Sequence, residues 1–206
     1  MLAALYKSYR RIRYREPIVV VSGLPRSGTS MLMKMLEAGG LKIVQDGVRT
    51  ADEDNPRGYY ELERIKDLAR EPDKAWLREA RGKAIKVISY LLKDLPEDHN
   101  YNVLFIRREM SEVLASQNKM LERRGETTTL GDEQMAELFE TDLWRAGYLL
   151  KRAPQFEVLE LDYRDVLDKP KAAAERINAF LDRKLDVDAM SGVVDKQLYR
   201  NRAQTG

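Results

Sequence analysis

Apolar positions along the chain change period several times, and each change predicts an element. Pro17-Ile18-Val19-Val20-Val21-Ser22 is a continuous β-branched run bounded by Pro and Gly, which reads as a strand buried on both faces. From Thr29 the pattern switches to helical spacing through Met31, Leu32, Met35 and Leu36, and Gly39-Gly40 closes it. Leu41–Val44, Lys83–Ser89, Asn102–Arg107 and Phe156–Leu161 predict further strands. Helical patterns cover roughly Glu61–Arg70, Asp73–Arg81, Ser111–Arg124, Asp132–Arg152 and Lys171–Leu181. The polar stretch Gln45–Tyr60, with its Asn55-Pro56-Arg57-Gly58 turn, predicts a loop. Strands alternating with helices imply βαβ units, so the expected fold is a three-layer α/β domain with a central, mostly parallel sheet flanked by helices. With no linker or repeat, residues 1–206 read as a single domain with a basic segment at 1–16 and a tail at 193–206.

Composition narrows the chemistry. Cys 0 excludes disulfides and thiolate chemistry, and His 1 excludes histidine-based zinc sites. Lys+Arg 36 against Asp+Glu 34 is too balanced for a nucleic-acid binder, so any anion site is local. No apolar run is long enough for a membrane span, and the default expectation is a soluble cytoplasmic protein. The segment Met1–Glu16 carries Lys7, Arg10, Arg11, Arg13 and Arg15 among Tyr6, Tyr9 and Tyr14; the interleaving resembles a nucleic-acid arm, but such arms are usually longer and denser in charge, so it reads as a short leading helix or a solvated tail.

The densest local signal is Gly23-Leu24-Pro25-Arg26-Ser27-Gly28-Thr29-Ser30, between the buried strand and the helix start. Glycines there permit a tight turn, and the loop N–H groups together with the helix N-terminus make an anion cradle. The spacing is P-loop-like, but Thr29 stands where a nucleotide-binding P-loop has lysine. The loop's cation is Arg26, which suits a terminal phosphate or phosphosulfate better than a metal-bound triphosphate.

This loop resembles the 5′-phosphosulfate loop of sulfotransferases that use 3′-phosphoadenosine 5′-phosphosulfate (PAPS). The Arg at position 26 is similar to tyrosylprotein and many bacterial members. The resemblance implies that Pro25, Arg26, Ser27, Gly28, Thr29 and Ser30 bind the donor, with no metal required. The family's 3′-phosphate motif, a strand ending in Arg with Ser eight residues on, is matched by Arg108 and Ser116 after Val103–Arg107. An Arg at a strand's carboxyl end faces the crevice where open α/β sheets bind ligands. Taken alone, Arg108 could equally form a surface salt bridge with Glu109 or Glu112.

Further resemblances run from Pro17 to Leu181. Ile85-Lys86-Val87-Ile88 is similar to the strand bearing the second catalytic lysine, with Ile88 where cytosolic members carry histidine. Leu161-Asp162-Tyr163-Arg164-Asp165-Val166-Leu167 resembles the segment before the family's last helices. The family's C-terminal Arg-Lys-Gly segment is missing, and Arg200 in Leu198-Tyr199-Arg200 is the candidate replacement.

Sulfuryl transfer needs a proton acceptor. The sole histidine, His99, precedes a strand and so lies at the sheet's amino edge, away from the crevice. Glu61, in the stretch Asn55–Glu61 that resembles a bacterial sulfotransferase segment, is the first candidate base, and Asp46 is the second. The resemblance therefore implies transfer of a sulfuryl group from PAPS to a hydroxyl or amine on a small-molecule, carbohydrate or peptide acceptor. Tyr59 and Tyr60 could line such a site or simply pack. Two alternatives stand beside this reading. One is a divergent P-loop kinase or NTPase. The other is a non-catalytic nucleotide-binding module docked through its Arg-rich N-terminus.

Overall fold

The computed structural model describes residues 2–46, 60–126, 128 and 130–195. Its centre is a four-stranded, wholly parallel sheet of order β2-β1-β3-β4, with β1 at Ile18–Ser22, β2 at Ala84–Lys86, β3 at Tyr101–Arg107 and β4 at Phe156–Asp162. Eight α-helices are present among the described residues: α1 (Leu2–Tyr14), α2 (Thr29–Ala38), α3 (Glu63–Lys66), α4 (Met110–Arg124), α5 (Asp132–Arg152), α6 (Tyr163–Asp168), α7 (Pro170–Leu181) and α8 (Val187–Gly192).

The two-residue period of a strand explains the two cores. Ile18 and Val20 pack on one face of the sheet with Leu77, Leu92, Ala146 and Leu150, from α5 and the short helical turns. Val19 and Val21 pack on the other with α2, α7 and α8 through Leu32, Leu36, Ile177 and Met190. Both faces of β1 are dry, as a β-branched run requires. The α/β architecture with helices on both faces is the expected one.

Several elements differ from the sequence pattern. The strand expected at Leu41–Val44 is a single parallel bridge, Ile43 to Ala84, with the Val44 N–H donating to the Ala84 carbonyl at 2.9 Å. The expected strand at Lys83–Ser89 pairs only through Ala84–Lys86. Its partner β1 ends at Ser22 and turns away at Gly23, so the extended chain follows it with two bonds, Val87 N–H to Val21 O and Ser89 N–H to Gly23 O. The expected helix at Glu61–Arg70 shrinks to α3, and the one at Asp73–Arg81 is a 3-10 helix over Ala75–Ala80. Pro72, lacking an N–H, separates them.

Two short helices carry clearer signals on inspection of their caps. The Asp162 carboxylate accepts from the N–H groups of Arg164 and Asp165 and starts α6. Asp186 accepts from Ala189 N–H and starts α8, whose Met190 is fully buried against Gly39. α1 forms a helix, the first of the two readings of the basic segment. Tyr59, the Asn55–Gly58 turn and Arg200 lie outside the described residues.

Candidate functional site

Because all four strands run parallel, their carboxyl ends share one edge. That edge carries the loop after β1, Lys86 at the end of β2, Arg108 just past β3, and the Asp162–Arg164 turn after β4. The register sets Val21 beside Lys86 and Ser22 beside Phe105, so these groups are fixed relative to one another by backbone pairing.

The loop from Gly23 to Gly28 is shaped by its backbone. At Gly23 a Cβ would lie 2.5 Å from the Ile106 carbonyl oxygen, and at Gly28 a Cβ would lie 2.5 Å from the Tyr163 ring. Gly28 is the N-cap of α2 with φ 108, and it brings no side-chain acceptor to the first helical N–H groups. Thr29 and Ser30 therefore sit inside the helix rather than capping it, which leaves the amino-terminal dipole suited to an anion. Ser27 is turned inward: its hydroxyl and its N–H both donate to the Leu24 carbonyl, at 2.7 and 3.2 Å. It closes the loop.

Arg26 has φ 67, a left-handed conformation that disfavours any side chain with a Cβ. Its Nε donates to Ser116 Oγ at 3.0 Å, joining the loop to the seventh residue of α4. Ser116 lies nearly two turns into that helix. As acceptor of this bond, Ser116 keeps its own hydroxyl proton to donate.

Arg108 extends the cluster. It donates to the Arg26 carbonyl at 3.1 Å and to Glu112 at 3.0 Å, and its guanidinium lies 4.4 Å from the Tyr163 ring centroid. The pairing with Glu112 is the i,i+4 ion pair that the sequence allowed, but it is buried rather than superficial. Glu112 also accepts from Arg164 at 3.0 Å. The sequence offers Glu112 only as a surface partner of Arg108, and Tyr163 only as part of the segment Leu161–Leu167, with no site role for either. The signal for Glu112 was its place one helical turn after Arg108, and for Tyr163 its place opposite a loop glycine, which only the fold reveals.

A second group lies on the β2 side. Lys86 is buried, with Nζ 3.5 Å from Glu61 Oε1, while Lys66 Nζ is 3.4 Å from Glu61 Oε2. The carboxylate thus sits between two ammonium groups. Asp46 does something else: its carboxylate accepts from the Glu63 N–H at 2.6 Å and secures the start of α3. Tyr60 is buried, with its hydroxyl donating to Glu37 at 2.7 Å, so it packs rather than lining a site.

The pair Ser89 and Asp142 was also missed. Ser89 follows Lys86 by three residues and hydrogen-bonds the Asp142 carboxylate of α5. Burial pushes that carboxyl up from its ordinary range, against the opposing effect of the Ser89 bond.

His99 lies at the amino edge of the sheet, as expected, and it is buried. Its Nδ1 is 2.8 Å from Asp98 Oδ1, and its ring stacks on Tyr101.

No family model matches the chain, and no curated protein matches it in sequence. Solved structures do match it in fold. A sulfotransferase domain from the curacin biosynthetic pathway superposes with a TM-score of 0.55 at 14% identity, covering 94% of this chain and 94% of that one. A mouse sulfotransferase complexed with PAP gives 0.56 at 17% identity, covering 91% of this chain and 66% of that one. A sulfotransferase domain of the Synechococcus PCC 7002 olefin synthase gives 0.52 at 16%, covering 91% and 80%. The chain has a sulfotransferase fold.

Proposed function

We propose that the protein transfers a sulfuryl group from PAPS to a hydroxyl or amine. The observation that carries this reading is the bond between Arg26 of the glycine loop and Ser116 of α4, reinforced by Arg108 on the Arg26 carbonyl. It joins two sequence motifs, each matching a sulfotransferase phosphate motif, on one edge of a sulfotransferase fold. The mouse neighbour was solved with PAP, the desulfated donor, which fits a site of this charge.

The residues present suit such a donor. Arg26 and the uncapped amino end of α2 would hold the 5′-phosphosulfate, and Arg108 with the Ser116 hydroxyl would hold the 3′-phosphate. Pro25, Gly28, Thr29 and Ser30 shape and line the loop, and Ser27 keeps it closed. PAPS supplies an activated sulfuryl group. The acceptor oxygen or nitrogen bonds to sulfur as the sulfur–oxygen bond to the phosphate breaks, and the acceptor's proton goes to a base. Lys86 and Arg26 offset the charge growing on the departing phosphate. Glu61, held beside Lys86, is the base, whereas Asp46 serves the fold.

Calorimetry with adenosine 3′,5′-bisphosphate and with ATP–Mg²⁺ tests this. The expected result is tight, metal-independent binding of the bisphosphate. Binding that strictly needs Mg²⁺ and prefers ATP overturns it in favour of a kinase or NTPase, although Thr29 in place of the loop lysine argues against that reading.

A further inference from the structure

Helix α1 is amphipathic, but it is mounted the wrong way round for packing. Leu5, Tyr9 and Ile12 fall at i, i+4 and i+7 with Tyr6 beside them, so they form one stripe. That stripe faces solvent: Leu5 is 63% and Ile12 83% exposed. The edge that meets the rest of the protein is polar. Arg10 is buried, and its guanidinium donates to the carbonyls of Glu97 and His99, each at 2.7 Å, and to Asn100 Oδ1 at 3.2 Å. Asn100 returns a bond to the Arg10 carbonyl at 3.0 Å. The Arg10 guanidinium also lies 4.7 Å from the Tyr14 ring centroid. An arginine clasp thus holds the helix while its apolar face points outward.

Charge identifies what that face meets. Residues 1–15 contain five basic residues and no acidic one. Arg10 is used in the clasp and Arg11 reaches the Glu157 carboxylate at 3.7 Å, whereas Arg13, on the flank of the stripe, and Arg15, just past the end of α1, are exposed. Face-to-face packing of two copies would set this basic segment against itself, with no acidic residue in 1–15, so self-association through this face is opposed. A phosphate backbone would accept the arginines but offers Leu5 and Ile12 nothing apolar. An anionic lipid surface satisfies both: acyl chains take the apolar stripe, and headgroups take the guanidinium groups. We infer that α1 is an interfacial helix that docks the protein on an anionic membrane surface without spanning it. Because the clasp lies just before β3, at the amino edge of the sheet, docking there leaves the carboxyl edge, with its phosphate loop, free. The inference is independent of the proposed chemistry.

Vesicle flotation with the full chain tests it, comparing phosphatidylcholine alone with phosphatidylcholine containing phosphatidylserine. Binding should require the anionic lipid and weaken as salt rises. Leu5→Glu with Ile12→Glu should reduce it by about tenfold or more, and Arg13→Gln with Arg15→Gln by a similar factor. All four residues are exposed, so thermal melts of these variants should match wild type, which separates lost docking from lost folding. Failure to bind phosphatidylserine vesicles overturns the inference. So does binding that survives the Glu substitutions, or light scattering that shows a dimer dispersed by those substitutions.

Discussion

Arg26 and Ser116, ninety positions apart in the chain, are joined by a 3.0 Å hydrogen bond across the carboxyl edge of the sheet. Local sequence alone does not bring the two together. Gly23 and Gly28 turn the loop that holds Arg26, and the parallel pairing of β1 with β3 brings α4 alongside it. The contact makes Ser116 the cleaner probe of the 3′-phosphate. Ser116→Ala should weaken binding of adenosine 3′,5′-bisphosphate by roughly one to two decades, and binding of the 5′-monophosphate much less, because a charge-assisted contact is worth about 1.5–3 kcal/mol. Titration calorimetry with both nucleotides reads the difference, and equal losses would remove Ser116 from 3′-phosphate recognition.

Arg108 cannot be tested so simply. Its partner Glu112 is buried, so Arg108→Ala removes one of the cations facing a buried carboxylate. Breaking such a pair costs on the order of 3 kcal/mol. Arg108→Ala should therefore lower the denaturation midpoint as well as nucleotide affinity. Adding Glu112→Gln should restore much of the stability without restoring affinity. Recovery of both would mean that Arg108 acts only through the fold.

The left-handed backbone of Arg26 gives a separate stability signature. Arg26→Ala and Arg26→Gly should both abolish tight nucleotide binding. Glycine accepts φ 67 and alanine does not, so the Gly variant should be the more stable of the two by about 1 kcal/mol. Urea denaturation distinguishes them. An Ala variant as stable as the Gly one would show that the loop relaxes once the guanidinium is gone.

Much of this architecture was legible in the sequence because its signals were local. The β-branched run of β1, the Gly23–Gly28 turn and the helical spacing of α2 each declare themselves within ten residues or so, and the spacing of Arg108 and Ser116 pointed to a shared phosphate. What failed was pairing and context. Leu41–Val44 has strand composition, but only Ile43 bridges to Ala84. The sequence ranks Glu61 ahead of Asp46 as candidate base without showing what either touches; one faces Lys86 and the other caps α3, a distinction made by tertiary placement. The apolar stripe of α1 carried no hint that it would face outward, since amphipathic periodicity does not say which way a helix is mounted.

His99 provides a pH test away from the site. Burial lowers its pKa below the usual 6.5, against the opposing effect of its bond to Asp98. Between the folded and unfolded values the native state binds fewer protons than the unfolded chain, so stability rises with pH through that window. The contribution is fully present above about pH 6.5 and is lost as pH falls toward the folded value. Melting temperatures should therefore drop on mild acidification more in wild type than in His99→Gln. Because this is the only histidine, its imidazole resonance can be titrated without assignment, and a midpoint at or above 6.5 would contradict the burial argument.

The base is best tested by setting Glu61 against Asp46. Glu61 lies between Lys86 and Lys66, so Glu61→Gln keeps the shape and hydrogen-bonding capacity while removing the proton acceptor. Turnover with a competent acceptor should fall by about 10²–10⁴, the usual contribution of a positioned base, with bisphosphate affinity near wild type. Asp46→Asn should behave oppositely. It weakens the capping bond to the Glu63 N–H, which costs on the order of 1 kcal/mol, and should leave turnover within a few-fold of wild type. The comparison must use turnover and thermal stability together, because a destabilised Asp46 variant can lose activity through its unfolded fraction. If Asp46→Asn abolishes turnover in a fully folded protein while Glu61→Gln does not, the base is the earlier carboxylate, and Glu61 is then only the anionic partner that keeps Lys86 in place. If both variants turn over normally, neither carboxylate takes the proton, and Asp142, beside Ser89 and the end of β2, becomes the next group to replace.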